Sequence, residues 1–278
     1  MYAFAYTFNM ALLLILVKLF PMSIAIYYIV LGRYLFNVLF LLPYYFFKKV
    51  KIPQNWNLFI ARACFIVIGT MLTYYAYRRL PLSLASAVGN TEPFFSLGIS
   101  YFYFNQKVNK KSVFCIIVGY LGVILCLYSS LSQLSVFLPL ISLLIANGLN
   151  SMASFYMQFL SKKFKKFEIL FFGNMTILIG LLLFLPMNLS SFSIFDFDRY
   201  VLFLFSILGF LTFIISYCYI KALEKMSVFA FSSFQYIKMV IALFADYFIF
   251  YKMPSGMQIV GSLIIASSIS FLTYFSKE

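Results

Sequence analysis

Two charged residues, Glu92 and Lys238, lie near the centres of long apolar stretches of this sequence. Glu92 directly precedes a proline in the segment AVGNTEPFFSLG (87–98), and Lys238 lies in FSSFQYIKMV (231–240). A charge at the centre of a membrane-spanning helix costs about 2.5–3.5 kcal/mol even on the most lenient scale, so these residues are functional candidates. Together they match the opposite charges of a zwitterion, because desolvated charges need partners. The alternative is a structural pair in which Glu92 and Lys238 neutralise each other.

Three further charged residues lie inside apolar stretches: Arg33, Arg62 and Asp246. Arg33 is a second candidate, after Lys238, for binding a carboxylate. Arg62 lies near one end of its stretch, where the alternative to function is a long side chain that extends to water. Asp246 lies near the outer end of its stretch, and we expect it to reach water.

Polar and aromatic side chains in the same stretches extend this set of candidates. The amides are expected to line a cavity around the charges, and hydrogen bonds between helices are the alternative. The tyrosines form two pairs near matched helix ends and can stack on an aromatic ring or a cation. Because the chain has 22 tyrosines, a belt at the membrane surface is the alternative for them. The predicted substrate-binding residues beside Glu92, Lys238 and Arg33 are Asn9, Asn90, Asn147, Asn150, Gln235, Tyr74, Tyr75 and Tyr217, and Tyr219 completes the second tyrosine pair.

Residue types that are missing exclude several chemistries. The sequence contains no histidine, which removes zinc peptidase motifs and catalysis by Ser-His or Cys-His pairs. It has no G-x-S-x-G, P-loop or G-x-G-x-x-G segment, and its four cysteines lie in apolar stretches without a C-x-x-C spacing. We therefore predict no enzyme activity, no cofactor and no metal. An intramembrane enzyme is disfavoured because the central carboxylate has no acidic partner, and a non-transporting scaffold is left as a distant alternative.

The composition predicts an all-α polytopic membrane protein. Of the 278 residues, 64% are apolar and 10% are charged, whereas soluble domains carry about 25% charged residues. Crossing a bilayer takes about 20 apolar residues, so the chain has room for roughly ten spans and for no separate soluble domain. We expect the first span to be retained as a helix, since no basic segment or cleavage site accompanies it. The predicted spans are 2–17, 22–47, 56–77, 81–104, 112–131, 134–158, 167–187, 200–221, 227–250 and 255–275.

Basic residues predict the orientation of these spans. The even-numbered connections and the C-terminus hold 13 lysines and arginines, and the odd-numbered connections hold 5. The positive-inside rule then places both termini in the cytoplasm. The net charge of +14 therefore reflects topology and contact with lipid headgroups, and we predict no binding of nucleic acid.

A weak internal repeat relates the two halves of the chain. An offset of 146 residues superimposes spans 3–5 on spans 8–10 and places Glu92 on Lys238. Five spans separate the copies, so their orientations must be opposite, as in the inverted repeats of secondary transporters. We predict two five-helix units, 1–131 and 132–278. One helical face of each unit carries a polar stripe: Ala85, Gly89, Glu92, Ser96 and Ser100 in the first, and Phe231, Gln235, Lys238, Ala242 and Asp246 in the second.

These segments resemble the drug/metabolite transporter superfamily, specifically its ten-helix EamA-type members. The first half shows AYRRLPLSLASAVGNTEPFF, FNQKV and GYLG, and the second shows ALEKMSVFAFSSFQYIKMV, FYKMP and QIVG. Within the superfamily, YYAYRRLPLSLASAVGNTEP and YFIFYKMP are most similar to the S-adenosylmethionine uptake group of obligate intracellular bacteria. The sequence departs from the family at Gln106 and Lys252, where glutamates are usual, and at Met239, where a proline is usual.

The resemblance implies a secondary transporter of the bacterial inner membrane that works by alternating access between two halves. The expected cargo is a small polar or zwitterionic metabolite such as S-adenosylmethionine, with export of amino acids or other metabolites and drugs as the alternative. The expected partners are this small-molecule substrate and membrane lipids, and a homodimer is left open.

Overall fold

The computed structural model describes residues 1–48, 52–53, 56–104, 110–128, 134–184, 198–225, 228, 231, 235–251 and 255–275. These residues form helices and short connections, and no strand occurs among them. The helices are α1 (Tyr2–Leu19), α2 (Ile26–Lys48), α3 (Asn57–Arg79), α4 (Leu82–Gly89), α5 (Glu92–Phe104), α6 (Lys110–Tyr128), α7 (Leu134–Lys163), α8 (Lys166–Leu183), α9 (Arg199–Leu223), α10 (Tyr236–Phe248) and α11 (Gly256–Phe275).

Within the part of the chain that the structure describes, six helices are long and apolar enough to cross a membrane. Many of their large apolar side chains face outwards, which suits contact with lipid rather than water. The prediction of an all-helical, multi-pass membrane protein is confirmed, whereas the count of ten spans stays a prediction. The six segments are Tyr2–Leu19, Ile26–Phe47, Asn57–Arg79, Val136–Lys163, Lys166–Leu183 and Arg199–Leu223.

The fourth predicted span is two helices rather than one. α4 ends at Gly89, and α5 begins at Glu92, so the predicted span 81–104 is interrupted just before Pro93. Pro93 lies in the first turn of α5, where its missing N–H has no helical partner to lose. Between the helices, the Thr91 hydroxyl donates to the Val88 carbonyl at 2.8 Å. The break therefore leaves backbone groups inside the bundle that other side chains can bind.

The buried apolar residues form two clusters at opposite ends of the bundle. The first cluster lies where α1, α3 and α8 end and includes Val17, Ala76 and Leu181. The second lies where these helices begin and includes Phe59 and Ile169. Between the two clusters runs a layer of buried polar and charged side chains. The apolar ends thus hold a polar layer at mid-height, away from bulk water.

Close packing of α9 on α2 depends on Gly209. A Cβ at this position would lie 2.4 Å from the Cβ of Phe36 and 2.9 Å from the backbone nitrogen of Asn37. Since the second of these atoms is backbone, relief requires the two helices to separate. Small residues at such crossings allow close helix approach in membranes.

We predict that Gly209→Ala lowers the free energy of unfolding by about 1–3 kcal/mol, because the added methyl overpacks the crossing. Thermal unfolding in detergent micelles measures the change. Gly180→Ala on α8 is the matched control, since a Cβ there meets nothing within 4 Å. Equal melting temperatures for the two variants would contradict the importance of this crossing.

Candidate functional site

A cavity of about 120 Å³ lies within the polar layer. This volume accommodates several water molecules. Both helices of the broken span contribute, together with α1, α2, α3, α7, α8, α9 and α10. The described residues that line it are Tyr6, Met10, Leu14, Arg33, Tyr34, Arg62, Ile66, Thr70, Thr73, Tyr74, Tyr77, Gly89, Glu92, Leu143, Asn147, Asn150, Ser154, Asn174, Ile215, Ser216, Tyr219, Gln235 and Lys238.

Gln235 joins the two central charges. Its Nε2 donates to Glu92 Oε2 at 2.7 Å, and its Oε1 accepts a short hydrogen bond from Lys238 Nζ. The described ion pairs do not include a direct contact of Glu92 with Lys238. A carboxylate only accepts and an ammonium only donates, so an amide is suited to satisfy both. The two charges therefore share one bridging residue. They form neither the direct ion pair of one prediction nor two independent binding groups.

The helix dipole stabilises one of the two central charges and destabilises the other. Glu92 begins α5, where unpaired N–H groups and the helix dipole stabilise a carboxylate. Lys238 lies in the first turn of α10, where the same dipole disfavours an ammonium. Both side chains are buried, at 8% and 6% exposure. Lys238 consequently depends on Gln235 and on the Glu92 carboxylate more than Glu92 depends on Gln235 and Lys238.

Asn147 holds the break between α4 and α5. Its Nδ2 lies 2.9 Å from both the Val88 carbonyl and Thr91 Oγ1. One turn further along α7, the Ser151 hydroxyl donates to the Glu92 carbonyl at 3.2 Å. Asn147 thus lines the cavity and also makes the hydrogen bond between helices that was its alternative role.

Arg33 already has neutral partners inside the bundle. Its Nε donates to Thr212 Oγ1 at 2.9 Å, and Nη1 donates to the Tyr74 hydroxyl at 2.8 Å. Tyr74 in turn is almost completely buried. This pairing satisfies part of the guanidinium while leaving its charge in the wall of the cavity.

Arg62 lines the cavity as well, although its position in the sequence allowed it to extend to water. The side chain is 8% exposed, so that alternative is wrong, because neighbouring helices cover this end of α3. Asp246 likewise does not reach water and is completely buried. It accepts hydrogen bonds from the backbone nitrogens of Leu82 at 3.0 Å and Ser83 at 2.6 Å, and so caps α4.

Four predicted binding residues do not line the cavity. Asn9 donates to the Ala5 carbonyl of its own helix at 2.7 Å. Asn90 is buried in the break, and its side-chain amide makes no hydrogen bond with the described residues. Tyr75 accepts a hydrogen bond from Arg79, and Tyr217 packs near the ring of Tyr2. The cavity instead holds Glu92, Lys238, Arg33, Gln235, Tyr74, Asn147 and Asn150 of the predicted set.

Sequence reasoning missed several aromatic and polar residues of the wall. Tyr6 stacks on Tyr219 with ring centroids 5.3 Å apart, and the Tyr219 hydroxyl donates to Ser154 Oγ at 2.6 Å. Among these residues the sequence pointed only to Tyr219, because it forms a pair with Tyr217. No spacing marks the others, because tyrosines occur throughout the chain. The remaining polar residues in this group are Tyr34, Tyr77, Thr70, Thr73, Asn174 and Ser216.

We predict that Gln235→Met destabilises the protein by about 3–5 kcal/mol, the cost of leaving buried charges without a partner. Thermal unfolding in micelles measures this loss. Gln158→Met on α7, outside the cavity, is the control. Adding Glu92→Gln and Lys238→Met to the Gln235 variant is expected to restore most of the lost stability. A Gln235 variant that is as stable as the wild type would show that the bridge contributes nothing.

Comparisons with known proteins agree with a transport role. The EamA-like transporter family matches residues 1–128 and 137–274. Proteins named S-adenosylmethionine uptake transporter from Rickettsia conorii and Rickettsia prowazekii are 23% and 24% identical, over 88% of this chain and 82% of theirs. A crystal structure of another protein has a TM-score of 0.72 at 13% identity, over 99% of this chain and 98% of its own. That likeness concerns the fold.

Because the family match spans nearly the whole sequence, this chain belongs to the EamA-like transporter family.

Proposed function

We propose that this protein is a secondary transporter that moves a zwitterionic metabolite, with S-adenosylmethionine as the first candidate, across the bacterial inner membrane. The observation that carries the proposal is the bridge from Glu92 through Gln235 to Lys238 in the wall of a buried cavity. Glu92 supplies a negative charge for an ammonium or sulfonium, and the cations of the same cavity supply positive charge for a carboxylate. The names of the Rickettsia relatives support this choice of cargo.

The packing of the helices supports two inverted units. If α1, α2, α3, α5 and α6 correspond to α7, α8, α9, α10 and α11, each major contact among these helices has a counterpart. α3 packs on α7 as α9 packs on α1, and α2 packs on α9 as α8 packs on α3. α5 packs on α7 as α10 packs on α1, and the contacts of α6 with α11 and of α2 with α8 map onto themselves. A two-fold relation of this kind allows the same sequence of contacts to open at either end.

Alternating access requires each end of the cavity to close, and the end where α1 finishes is closed by polar contacts. Asp246 of α10 caps α4 and lies 3.9 Å from Lys18 Nζ. Lys18 also donates to the Leu80 carbonyl at 2.8 Å. Arg78 donates to the carbonyls of Ile24 and Pro21, each at 2.7 Å. We infer that these contacts form the closed outer gate.

Aromatic packing covers the opposite end. Tyr6, Tyr219 and Phe231 are in mutual ring contact, with centroids 4.8–5.3 Å apart. Apart from the Tyr219 hydroxyl, few hydrogen bonds hold these rings together. The rings can therefore separate and rejoin without leaving a charged group unpaired. With both termini in the cytoplasm, as the basic residues predict, this aromatic layer is the inner gate.

Uptake by proteoliposomes tests the proposed function. Purified full-length protein is reconstituted and given labelled S-adenosylmethionine, amino acids and nucleotides, with and without a pH gradient. We expect saturable uptake of at least one zwitterion, and the effect of the gradient separates proton coupling from metabolite exchange. Uptake only of the anionic nucleotides would overturn the zwitterion assignment, and no uptake of any compound would favour a scaffold.

Removing either central charge should abolish this uptake. We predict that Glu92→Gln and Lys238→Met each reduce the rate at least about 100-fold while the protein still inserts. The first removes the partner of the cargo's cationic group, and the second removes the buried cation that balances Glu92 through Gln235. Glu224→Gln and Lys221→Met are the controls, since these residues form a surface ion pair at 3.2 Å. Their removal is expected to change uptake little. Uptake at the wild-type rate in either central variant would remove the paired-charge mechanism.

A further inference from the structure

Arg62 differs from the other charged residues of the cavity because the described residues give it no hydrogen-bond or ion-pair partner. Glu92 and Lys238 share Gln235, and Arg33 binds Thr212 and Tyr74. Among the residues that the structure describes, no hydrogen bond or ion pair involves the Arg62 guanidinium, and its Nε is buried without an acceptor. The side chain is nevertheless 8% exposed, so bulk water reaches little of it. A buried guanidinium in this condition is costly unless something enters the cavity to bind it.

The charges of the cavity are also unequal. Among the described residues of its wall, three cations, Arg33, Arg62 and Lys238, face the single carboxylate of Glu92. At ordinary protonation this leaves an excess of two positive charges. In a space enclosed by apolar clusters, such an excess is screened poorly and attracts an anionic group. The empty cavity is therefore incomplete with respect to negative charge.

The surroundings of Arg62 leave room for a ligand and supply further polar groups. Gly173 of α8 lies beside the guanidinium, and a Cβ there would be 3.3 Å from Nη1. Asn174 and Tyr219 line the cavity with it. A planar guanidinium binds a carboxylate through two parallel hydrogen bonds, which a lysine cannot reproduce. The chemistry of this end of the cavity thus suits a carboxylate or another small oxyanion.

We propose that Arg62 forms an anion subsite that binds the carboxylate of the cargo, and that a carboxylate is required for recognition. The proposal rests on the function proposed above, since it places the subsite in the transport cavity. It assigns the carboxylate to Arg62 rather than to Lys238 or Arg33, because those two residues have partners when the cavity is empty. Glu92, which lines the same cavity, is then left for the cationic group of the same molecule.

The test compares ligands that differ only in the carboxylate. Uptake is measured for S-adenosylmethionine and its decarboxylated analogue, and for methionine and its decarboxylated amine, in proteoliposomes of the full chain. For the wild type, we expect the carboxylate-bearing member to be preferred by about 10- to 100-fold in apparent affinity, as befits a charge-assisted hydrogen bond. Arg62→Gln should erase this preference by weakening only the carboxylate-bearing member. Arg62→Lys, which keeps the charge, should retain part of it.

Arg79→Gln is the matched control. Arg79 lies on the same helix, outside the cavity, and pairs with the Tyr75 hydroxyl at 2.9 Å. Its removal should leave the preference unchanged. If Arg62→Gln keeps the wild-type preference, or if the wild type accepts both members of each pair equally, water alone solvates Arg62 and the subsite does not exist.

A second measurement separates failure of this proposal from failure of the proposed function. Phosphate is added to the purified protein at constant ionic strength, and the melting temperature is followed. A saturable rise that Arg62→Gln abolishes supports the anion subsite even if none of the four compounds is transported. If phosphate has the same effect on both proteins, the subsite is overturned, whereas uptake of a zwitterion by both proteins would leave the transporter proposal standing.

Discussion

The structure depends on one constraint, that charges buried in an apolar bundle must find partners within it. Gln235 meets this constraint for Glu92 and Lys238 with one amide, donating to the carboxylate and accepting from the ammonium. Without it, two unpaired charges would remain in a medium where each is costly. The apolar clusters at the two ends keep water away from this layer, and so they make the pairing strong as well as necessary.

Interrupted helices provide the polar groups that the charged layer needs. The break after Gly89 exposes carbonyls that Asn147 binds, and it places Glu92 at a helix start. At another level of the bundle, Asp246 of α10 caps the start of α4. Asn147 of α7 thus binds the backbone at the break, and Asp246 of α10 binds the backbone at the start of α4. Irregular backbone is stable in a membrane only when protein or a cavity covers it, and here side chains of neighbouring helices cover it.

The sequence predicted the parts of the site that follow from residue spacing. It failed where a residue's place depends on the rotation of its helix or on how deeply neighbouring helices bury it. The 146-residue offset placed Glu92 on the polar stripe of one unit and Gln235 and Lys238 on the matching stripe of the other, and the structure brings these three together. Asn9 and Tyr75 lie in the right spans, but their helices turn them away from the cavity, and no periodicity fixed that rotation. Arg62, Asp246 and the break at Asn90–Thr91 depend on which neighbours cover them, and a single sequence does not contain this information. The six long helices were predictable because length and apolarity alone determine them.

Gln235 also explains how a transporter of this kind can release what it binds. The Gln235 amide donates to the Glu92 carboxylate, which is the group that the cationic part of the proposed cargo would use. A ligand ammonium that reaches Glu92 must displace Gln235, so the free energy of binding is the difference between two similar interactions rather than the whole of one. The affinity is held down by the same side chain that keeps the empty protein stable. A carrier that returns without cargo must keep its charges buried during the return step. The hydrogen bonds of Gln235 stabilise those charges in the unloaded protein, as the cargo stabilises them in the loaded protein.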